Sequence, residues 1–355
     1  MRNFTSALFH DSQLGVRIRF NCELELEAVV RQLEADPQML LEEFHKARGL
    51  MVVESLDEVE QKPELLLRIS RLFGNEVENY KKTPTPSHMI HKEIPEILLL
   101  SNLPPCERPP PPKPNPPLTI DGKLPTRFPH RRGWHTDQSF RRPPPDVSLF
   151  YAVIPSPLGQ GQTLFADGIA AYRNLPPNLR TKIRNMDGLH ALLGTGRSEQ
   201  AVRAGEPIQK LLPHQESQRQ PLVRTHPVTG ENALYLCEAG QMDWHEGPII
   251  GLEPGVNGEG ARLVYELMAH YTKSEHTYVH EWQKGDLVIY DNRCLIHAAT
   301  WYDSDKHTRL MWRTTVSGNP GTPYVGETKS WLPEDGTDFL EGLGDGRWES
   351  ATKLP

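Results

Sequence analysis

Six short segments in the second half of the chain are rich in β-branched and aromatic residues and are bounded by Gly, Pro, Asp or Asn. Such side chains fit a pleated, half-buried surface and the bounding residues favour turns, so the pattern predicts β-strands. Two longer stretches between them, residues 169–186 and 258–274, have helical apolar spacing. The chain is therefore predicted to be mainly β with added helices (α+β), with a jelly-roll or barrel core. The six segments are residues 146–155, 162–168, 232–238, 277–282, 285–292 and 309–318.

The first eighty residues have a different pattern. Residues 23–48 show helical spacing interrupted near Asp36 and Pro37, residues 50–56 form a short apolar run, and residues 62–74 again favour a helix. The prediction is a helix–strand–helix support at 1–80, a core at 130–318 and a tail at 319–355. All of it is expected to form one domain, 1–355.

A proline-rich segment separates these two regions. Residues 104–117 read PPCERPPPPKPNPP, with nine prolines in fourteen residues, which excludes a helix or a central strand. Such a segment is either a polyproline ligand for a partner domain or a stiff loop beside a site. Its place inside the fold, directly upstream of His135, favours the loop.

Composition and charge exclude several classes of protein. The net charge of −7 gives no indication of a basic surface that would bind nucleic acid or an anionic membrane. No run approaches the roughly 18 apolar residues of a membrane span, and the N-terminus lacks a signal-peptide pattern. The four cysteines have no CxxC spacing and are expected to be reduced thiols. We therefore expect a cytoplasmic protein that binds neither nucleic acid nor membrane.

The sequence WHTDQSF places His135 two residues before Asp137, and His297 follows far downstream. On a strand, residues two apart project to the same face. Two histidines and one carboxylate on one face of a metal leave three positions open, which is typical of non-haem Fe(II). The motif alone is weak, because the same residues also occur as turn caps or surface pairs.

Two arginines add to this pattern. Arg309 and Arg313 lie four residues apart on a predicted strand, so both are expected to project to one face. Buried guanidinium groups need anionic partners, which are either acidic side chains or a small-molecule carboxylate bound bidentately. Opposite a histidine-containing site, the small molecule is favoured.

Four blocks together resemble a known family, the taurine catabolism dioxygenases. WHTDQSF, GQTLFADGIAAY, THPVTGENALYL and GDLVIYDNRCLIHAA…HTRLMWRTTV occur in that family's order and spacing. The resemblance covers most of the chain and is clearest over 132–318. It implies Fe(II)- and 2-oxoglutarate-dependent oxygenases with a double-stranded β-helix fold.

The resemblance also implies roles for individual residues. His135, Asp137 and His297 correspond to the iron ligands. Thr163 and Arg309 correspond to residues that bind the distal carboxylate of 2-oxoglutarate. Arg313 corresponds to an arginine that contacts the anionic group of the substrate.

The implied reaction consumes O2 and 2-oxoglutarate and releases succinate and CO2 as a substrate C–H bond is oxidised, most simply by hydroxylation. Asp137 stands where halogenating relatives have a small residue, so chlorination is not implied. Desaturation, ring closure and C–N bond formation remain open outcomes of the same site. The substrate is expected to be a small anion, amino-acid- or sulfonate-like, and a homo-oligomer is the family's default. A non-catalytic 2-oxoglutarate sensor and a cupin-type enzyme are the competing classes.

Overall fold

The computed structural model describes residues 4–9, 14–21, 23–83, 85–111, 133–238 and 240–333. Within them the chain is rich in β-strands, with helices between the strands. The strands are β1 Phe4–Leu8, β2 Val16–Phe20, β3 Leu50–Val53, β4 Glu76–Val77, β5 Leu98–Ser101, β6 Val147–Ile154, β7 Thr163–Asp167, β8 Asp187–His190, β9 Gln218–Pro221, β10 Val223–Thr225, β11 Asn232–Leu234, β12 Thr277–His280, β13 Leu287–Asp291, β14 Leu295–Ala299 and β15 Leu310–Ser317. The helices are α1 Leu26–Ala35, α2 Gln38–Lys46, α3 Glu64–Ser70, α4 Gly168–Arg173, α5 Pro177–Ile183, α6 Glu199–Ala204 and α7 Glu259–Tyr271.

The major sheet has the strand order β1-β2-β3-β13-β6-β15-β4, and β5 pairs with the other end of β15. Both faces of its strands β3, β13, β6 and β15 are buried, because alternate residues of these strands enter different apolar clusters. On β6, Leu149 and Tyr151 pack towards α1 and α3, whereas Phe150 and Ala152 pack towards the second sheet. The continuous apolar runs that predicted these strands follow from this double burial.

The minor sheet has the order β12-β7-β14. Phe165 of β7 packs into the cluster shared with the major sheet, while Leu164 and Ala166 pack against α4, α5 and α7. The molecule thus has four layers, with two sheets enclosed between two groups of helices. The candidate site lies between the two sheets.

Most of the predicted elements are present. The break predicted near Asp36 and Pro37 separates α1 from α2, and each of the six predicted strand segments contains a strand. Two strands, β1 and β2, lie within the predicted helix–strand–helix support at 1–80, ahead of its first helix, and were not predicted. The alternation of Val16 and Ile18 with exposed Arg17 and Arg19 was the available signal.

Some predicted features lie beyond the described residues. Residues 112–117 of the proline-rich segment and residues 334–355 of the tail fall outside them. In the part of the chain that the structure covers, no helix combines the length and apolarity that a bilayer crossing requires.

Candidate metal centre

Backbone pairing brings the two histidines together. His135 donates its N–H to the carbonyl of His297 at 2.9 Å, and His297 returns the bond at 2.7 Å. His297 projects from β14 to the interior face because its neighbours Ile296 and Ala298 face the helical layer. The predicted neighbouring strand for His297 is therefore present.

The prediction that His135 and Asp137 share a strand is wrong. His135 makes a single isolated bridge, and the chain then turns at Asp137, with Gln138 in the left-handed region at φ 53°. A one-bridge contact leaves the following residues free to turn, so Asp137 reaches the histidines from a loop.

Three potential ligand atoms meet at this point. Asp137 Oδ1 lies 4.0 Å from His135 Nε2 and 3.9 Å from His297 Nε2. His135 Nδ1 lies 2.6 Å from the carbonyl of Gly133. A carbonyl only accepts, so Nδ1 carries the proton and Nε2 presents a lone pair towards Asp137.

The other oxygen of Asp137 is held by two hydroxyl groups. Ser148 and Tyr290 donate to Oδ2 at 2.7 Å and 2.8 Å. These two residues are a directly opposed pair on β6 and β13, so their side chains emerge side by side on the same face. Sequence reasoning missed both, since neither is near Asp137 in a recognisable motif.

Electrostatics keep the three groups in the states that bind a cation. Burial alone would raise the pKa of Asp137, but Arg313 and the two histidines hold that pKa well below its usual range. Burial lowers the pKa of His135, and it lowers the pKa of His297 to about 3. The centre therefore contains one carboxylate and two neutral imidazoles at neutral pH.

Arg313 contacts Asp137 directly. Its Nη1 donates to Asp137 Oδ1 at 2.5 Å, on the same oxygen that faces the histidines. Its Nε is buried and has no hydrogen-bond partner among the described residues. Burial alone would lower the pKa of Arg313, but Asp137 and Tyr80 raise it.

Arg309 lies just before β15 and differs from Arg313 in that none of the described residues forms an ion pair with it. Its guanidinium lies over the rings of Phe150 and Tyr302, at 5.7 Å and 5.9 Å from their centroids. Its Nε and Nη2 are buried without a hydrogen-bond partner in the described part of the chain. Burial lowers the pKa of Arg309 to about 10. A buried, unpaired guanidinium is costly, and an anion placed here would remove that cost.

Thr163 belongs to the same neighbourhood as Arg309. Its hydroxyl accepts a hydrogen bond from Trp282 Nε1 at 3.0 Å. The Trp282 ring makes an edge contact with Phe150, the ring over which Arg309 lies, at 5.2 Å between centroids. The predicted pair of Thr163 and Arg309 is thus connected through two aromatic side chains.

A third arginine, Arg108, was not singled out from the sequence. Its backbone N–H donates to the carbonyl of Ser101 at 2.8 Å, at the end of β5 that pairs with Leu310. Burial and the neighbouring Arg313 lower the pKa of Arg108, and Asp137 acts on it in the opposite direction. The proline-rich segment therefore begins beside the site.

The described residues contain a second group of two histidines and one aspartate, which are His45, His226 and Asp291. Asp291 accepts from Arg293 Nε at 2.8 Å and from Arg293 Nη2 at 2.6 Å. His226 Nδ1 faces the backbone N–H of Thr229 at 3.1 Å, so its Nε2 carries the proton that is donated to Asp291 at 2.9 Å. Both carboxylate oxygens are thus already occupied by donors.

Comparison with known proteins identifies the family. The family model described as taurine catabolism dioxygenase TauD, TfdA family matches residues 12–315. The chain belongs to this family of dioxygenases.

Individual relatives differ in what their names say they act on or make. The alpha-ketoglutarate-dependent 2,4-dichlorophenoxyacetate dioxygenase of Cupriavidus pinatubonensis is 35% identical over 190 residues, which cover 52% of this chain and 59% of that protein. Pentalenolactone F synthase of Streptomyces arenae is 30% identical over 264 residues, covering 72% of this chain and 80% of that protein. The first alignment thus spans less than two thirds of its relative.

The fold also matches a solved structure. A taurine dioxygenase from Burkholderia xenovorans superposes with a TM-score of 0.59 and 22% identity, covering 89% of this chain and 90% of that one. At this level of identity the likeness concerns the fold.

Proposed function

We propose that this protein is an Fe(II)- and 2-oxoglutarate-dependent dioxygenase that hydroxylates a C–H bond of a small anionic substrate and releases succinate and CO2. The observation that carries the proposal is the meeting of His135 Nε2, His297 Nε2 and Asp137 Oδ1, together with a buried Arg309 whose Nε and Nη2 have no hydrogen-bond partner among the described residues. In this proposal the two sheets form a double-stranded β-helix core, with 1–80 as its support.

The residues present fit a ferrous ion. His135, Asp137 and His297 would hold it with two nitrogen atoms and one oxygen atom, which suits a divalent transition metal that keeps open positions. When bound, the iron with 2-oxoglutarate and O2 supplies the oxidising chemistry, while the protein orients the reactants and excludes water.

The residues also fit 2-oxoglutarate. The distal carboxylate would take the two donors that Arg309 leaves unpaired, Nε and Nη2, in the bidentate arrangement that guanidinium groups favour. Thr163 would add a hydroxyl contact, with its own oxygen oriented by Trp282. An anion bound here would offset the free-energy cost of burying the charged guanidinium of Arg309.

Arg313 is assigned to the anionic group of the substrate. An ion bound to Asp137 Oδ1 would compete with Arg313 for that oxygen, and the guanidinium would then need another anion. Arg108 adds positive charge beside it. The 2,4-dichlorophenoxyacetate of one relative's name is a carboxylate, which supports a substrate of this charge.

The similarity to Pentalenolactone F synthase over 72% of this chain supports a second outcome at the same site. That outcome is oxidation within a biosynthetic pathway, by desaturation, ring closure or C–N bond formation. Product analysis distinguishes it from hydroxylation, since only hydroxylation adds one oxygen atom without removing hydrogen overall.

The test is succinate formation from 2-oxoglutarate by the purified protein with Fe(II), across a panel of phenoxyacetates, other small carboxylates and sulfonates. Arg309→Gln is expected to raise the KM for 2-oxoglutarate, and Arg313→Gln the KM for the substrate, each by about 10- to 100-fold for a lost charged hydrogen bond. Arg219→Gln is the matched control, because Arg219 pairs with Asp187 on an exposed surface. Binding of 2-oxoglutarate without succinate from any substrate would instead support the sensor.

A further inference from the structure

Asn292 lies between the candidate metal centre and the second His–His–Asp group. Its flanking residues, Asp291 and Arg293, pair with each other on one side of the chain. Its own side chain points the other way and is completely buried, where it meets the turn that carries Asp137. This residue is therefore placed to connect a rigid part of the fold to the site.

The carbonyl side of Asn292 holds the turn. Its Oδ1 accepts from the backbone N–H of Asp137 and from Thr136 Oγ1, both at 3.2 Å. Thr136 Oγ1 also lies 2.8 Å from the backbone carbonyl of Asn292. Since Asp137 leaves the sheet immediately after His135, these contacts replace the strand pairing that would otherwise fix it.

The amide nitrogen of Asn292 acts on the carboxylate through Ser148. Nδ2 donates to Ser148 Oγ at 2.9 Å, and Ser148 Oγ lies 2.7 Å from Asp137 Oδ2. Because the amide can only donate at Nδ2, the single hydroxyl hydrogen of Ser148 is directed to Asp137. With Tyr290 on the same atom, Oδ2 is saturated, and Oδ1, which also accepts from Arg313, is turned towards the histidines.

We propose that Asn292 is a positioning residue of the metal centre, which fixes both the turn at Asp137 and the choice of Oδ1 as the coordinating oxygen. The inference rests on the proposed function, because it assumes that His135, Asp137 and His297 bind a divalent metal. Asn292 touches neither the metal nor the substrate and acts only through Asp137, Thr136 and Ser148.

The pairing around Asp291 explains how Asn292 can be held firmly enough for this role. Arg293 donates its backbone N–H and its Nε to Asp291 Oδ1, at 2.9 Å and 2.8 Å. The Asn292 N–H donates to the carbonyl of Asp146 at 2.8 Å. Hydrogen bonds thus hold Asp291, Arg293 and the backbone of Asn292 in place, and this fixes the position from which the Asn292 side chain extends to the site.

The experiment measures the affinity of the full-length protein for Mn(II), by electron paramagnetic resonance, in the wild type and in Asn292→Ala, Ser148→Ala and the double variant. We expect each single variant to bind Mn(II) about 10- to 100-fold more weakly, as is typical when a partner of a metal ligand is removed. The double variant should be little weaker than Asn292→Ala, because both substitutions break one chain of hydrogen bonds.

A general loss of stability has to be separated from a loss of positioning. Asn174→Ala is the control, because Asn174 is an asparagine outside the metal centre whose side chain lies within hydrogen-bond distance, 3.1 Å, of His276 Nε2. Urea unfolding of each variant gives the free energy of unfolding. We expect Asn174→Ala to lose stability and keep wild-type Mn(II) affinity.

Unchanged Mn(II) affinity in Asn292→Ala, with the wild type binding one Mn(II), would overturn this inference and leave the proposed function standing. Fully additive losses in the double variant would overturn the route through Ser148. A wild type that binds no Mn(II) would overturn the proposed function and the inference with it.

Discussion

Two groups of two histidines and one aspartate lie in the described part of this molecule, and their hydrogen-bond partners separate them. At Asp137, both hydroxyl donors fall on Oδ2, and Oδ1 faces two imidazoles and a single nitrogen of Arg313. At Asp291, the guanidinium of Arg293 covers both oxygens. Both carboxylates are thus paired with an arginine, but only at Asp137 does one oxygen meet two imidazoles and a single donor, the arrangement that we propose accepts a cation.

One histidine of each group differs in the same way. His135 gives its Nδ1 proton to a carbonyl, so its Nε2 is a free lone pair directed at the aspartate. His226 accepts backbone N–H groups at Nδ1, so its Nε2 carries a proton. Proximity alone therefore does not identify a metal site, and the hydrogen bond at the second ring nitrogen separates His135 from His226.

The largest expected effect separates the two groups by metal binding. His297→Ala should weaken Mn(II) binding by more than about 100-fold, since it removes a ligand itself and not one of its partners. His45→Ala should leave the affinity and a stoichiometry of one unchanged. Titration followed by electron paramagnetic resonance measures the Mn(II) affinity and the stoichiometry of each variant. A loss of Mn(II) binding in His45→Ala would contradict the assignment of metal binding to the first group.

In the second group, substitution is expected to change the free energy of unfolding and not the affinity for Mn(II). Asp291→Ala leaves Arg293 buried without its partner, and breaking a buried pair costs about 3–5 kcal/mol. Urea unfolding monitored by circular dichroism gives the free energy of unfolding. His45→Ala is the control within the same group, and a loss of less than about 1 kcal/mol in Asp291→Ala would contradict the structural role.

The pH dependence of that loss sharpens the prediction. Burial alone would raise the pKa of Asp291, but Arg293 and His226 hold it well below its ordinary value. Stability from such a carboxylate is fully present above its unfolded pKa of about 3.9 and is lost as the pH falls towards the folded pKa. The difference in unfolding free energy between wild type and Asp291→Ala should therefore be constant from pH 7 to 5 and shrink below pH ~4.

The smallest expected effect concerns His45. Burial lowers the pKa of His45 to about 4, and its Nδ1 has no hydrogen-bond partner within the described residues. The unfolded chain binds this proton more readily, so the contribution of His45 to stability falls as the pH drops from about 6.5 towards 4. Between pH 7 and 5 the wild type should lose about 1 kcal/mol more than His45→Gln, after a discount for the ring's partial exposure.

Urea unfolding at both pH values checks this prediction in the presence of a chelator, so that metal binding does not contribute. Equal losses in the two proteins would mean that His45 can protonate freely within the fold.

Sequence reasoning predicted that His135, Asp137 and His297 would come together, and the structure brings them together. Their order and spacing within four blocks carried that prediction. The strand geometry proposed for Asp137 was wrong, because an isolated bridge and a full strand have the same local sequence signature. Their roles as ligands stay a prediction.

The supporting residues could not be predicted in the same way. Ser148 and Tyr290 meet Asp137 only through the pairing of β6 with β13, which brings together residues more than a hundred positions apart. The second group also could not be predicted, because His45, His226 and Asp291 have no shared local spacing in the sequence and meet only in the fold. Periodicity predicts an element and its buried face, whereas the register between distant strands determines which polar side chains meet.

An anaerobic titration of the chelator-treated protein with Fe(II) and then 2-oxoglutarate, recorded by visible absorption, is the most direct test of the candidate metal centre. A 2-oxoacid chelated to ferrous iron gives a charge-transfer band. We expect the band in the wild type and in His45→Ala, its absence in His135→Ala, and a need for much more 2-oxoglutarate in Arg309→Gln. The absence of a band in the wild type, or its loss in His45→Ala with retention in His135→Ala, would contradict the assignment of the metal centre.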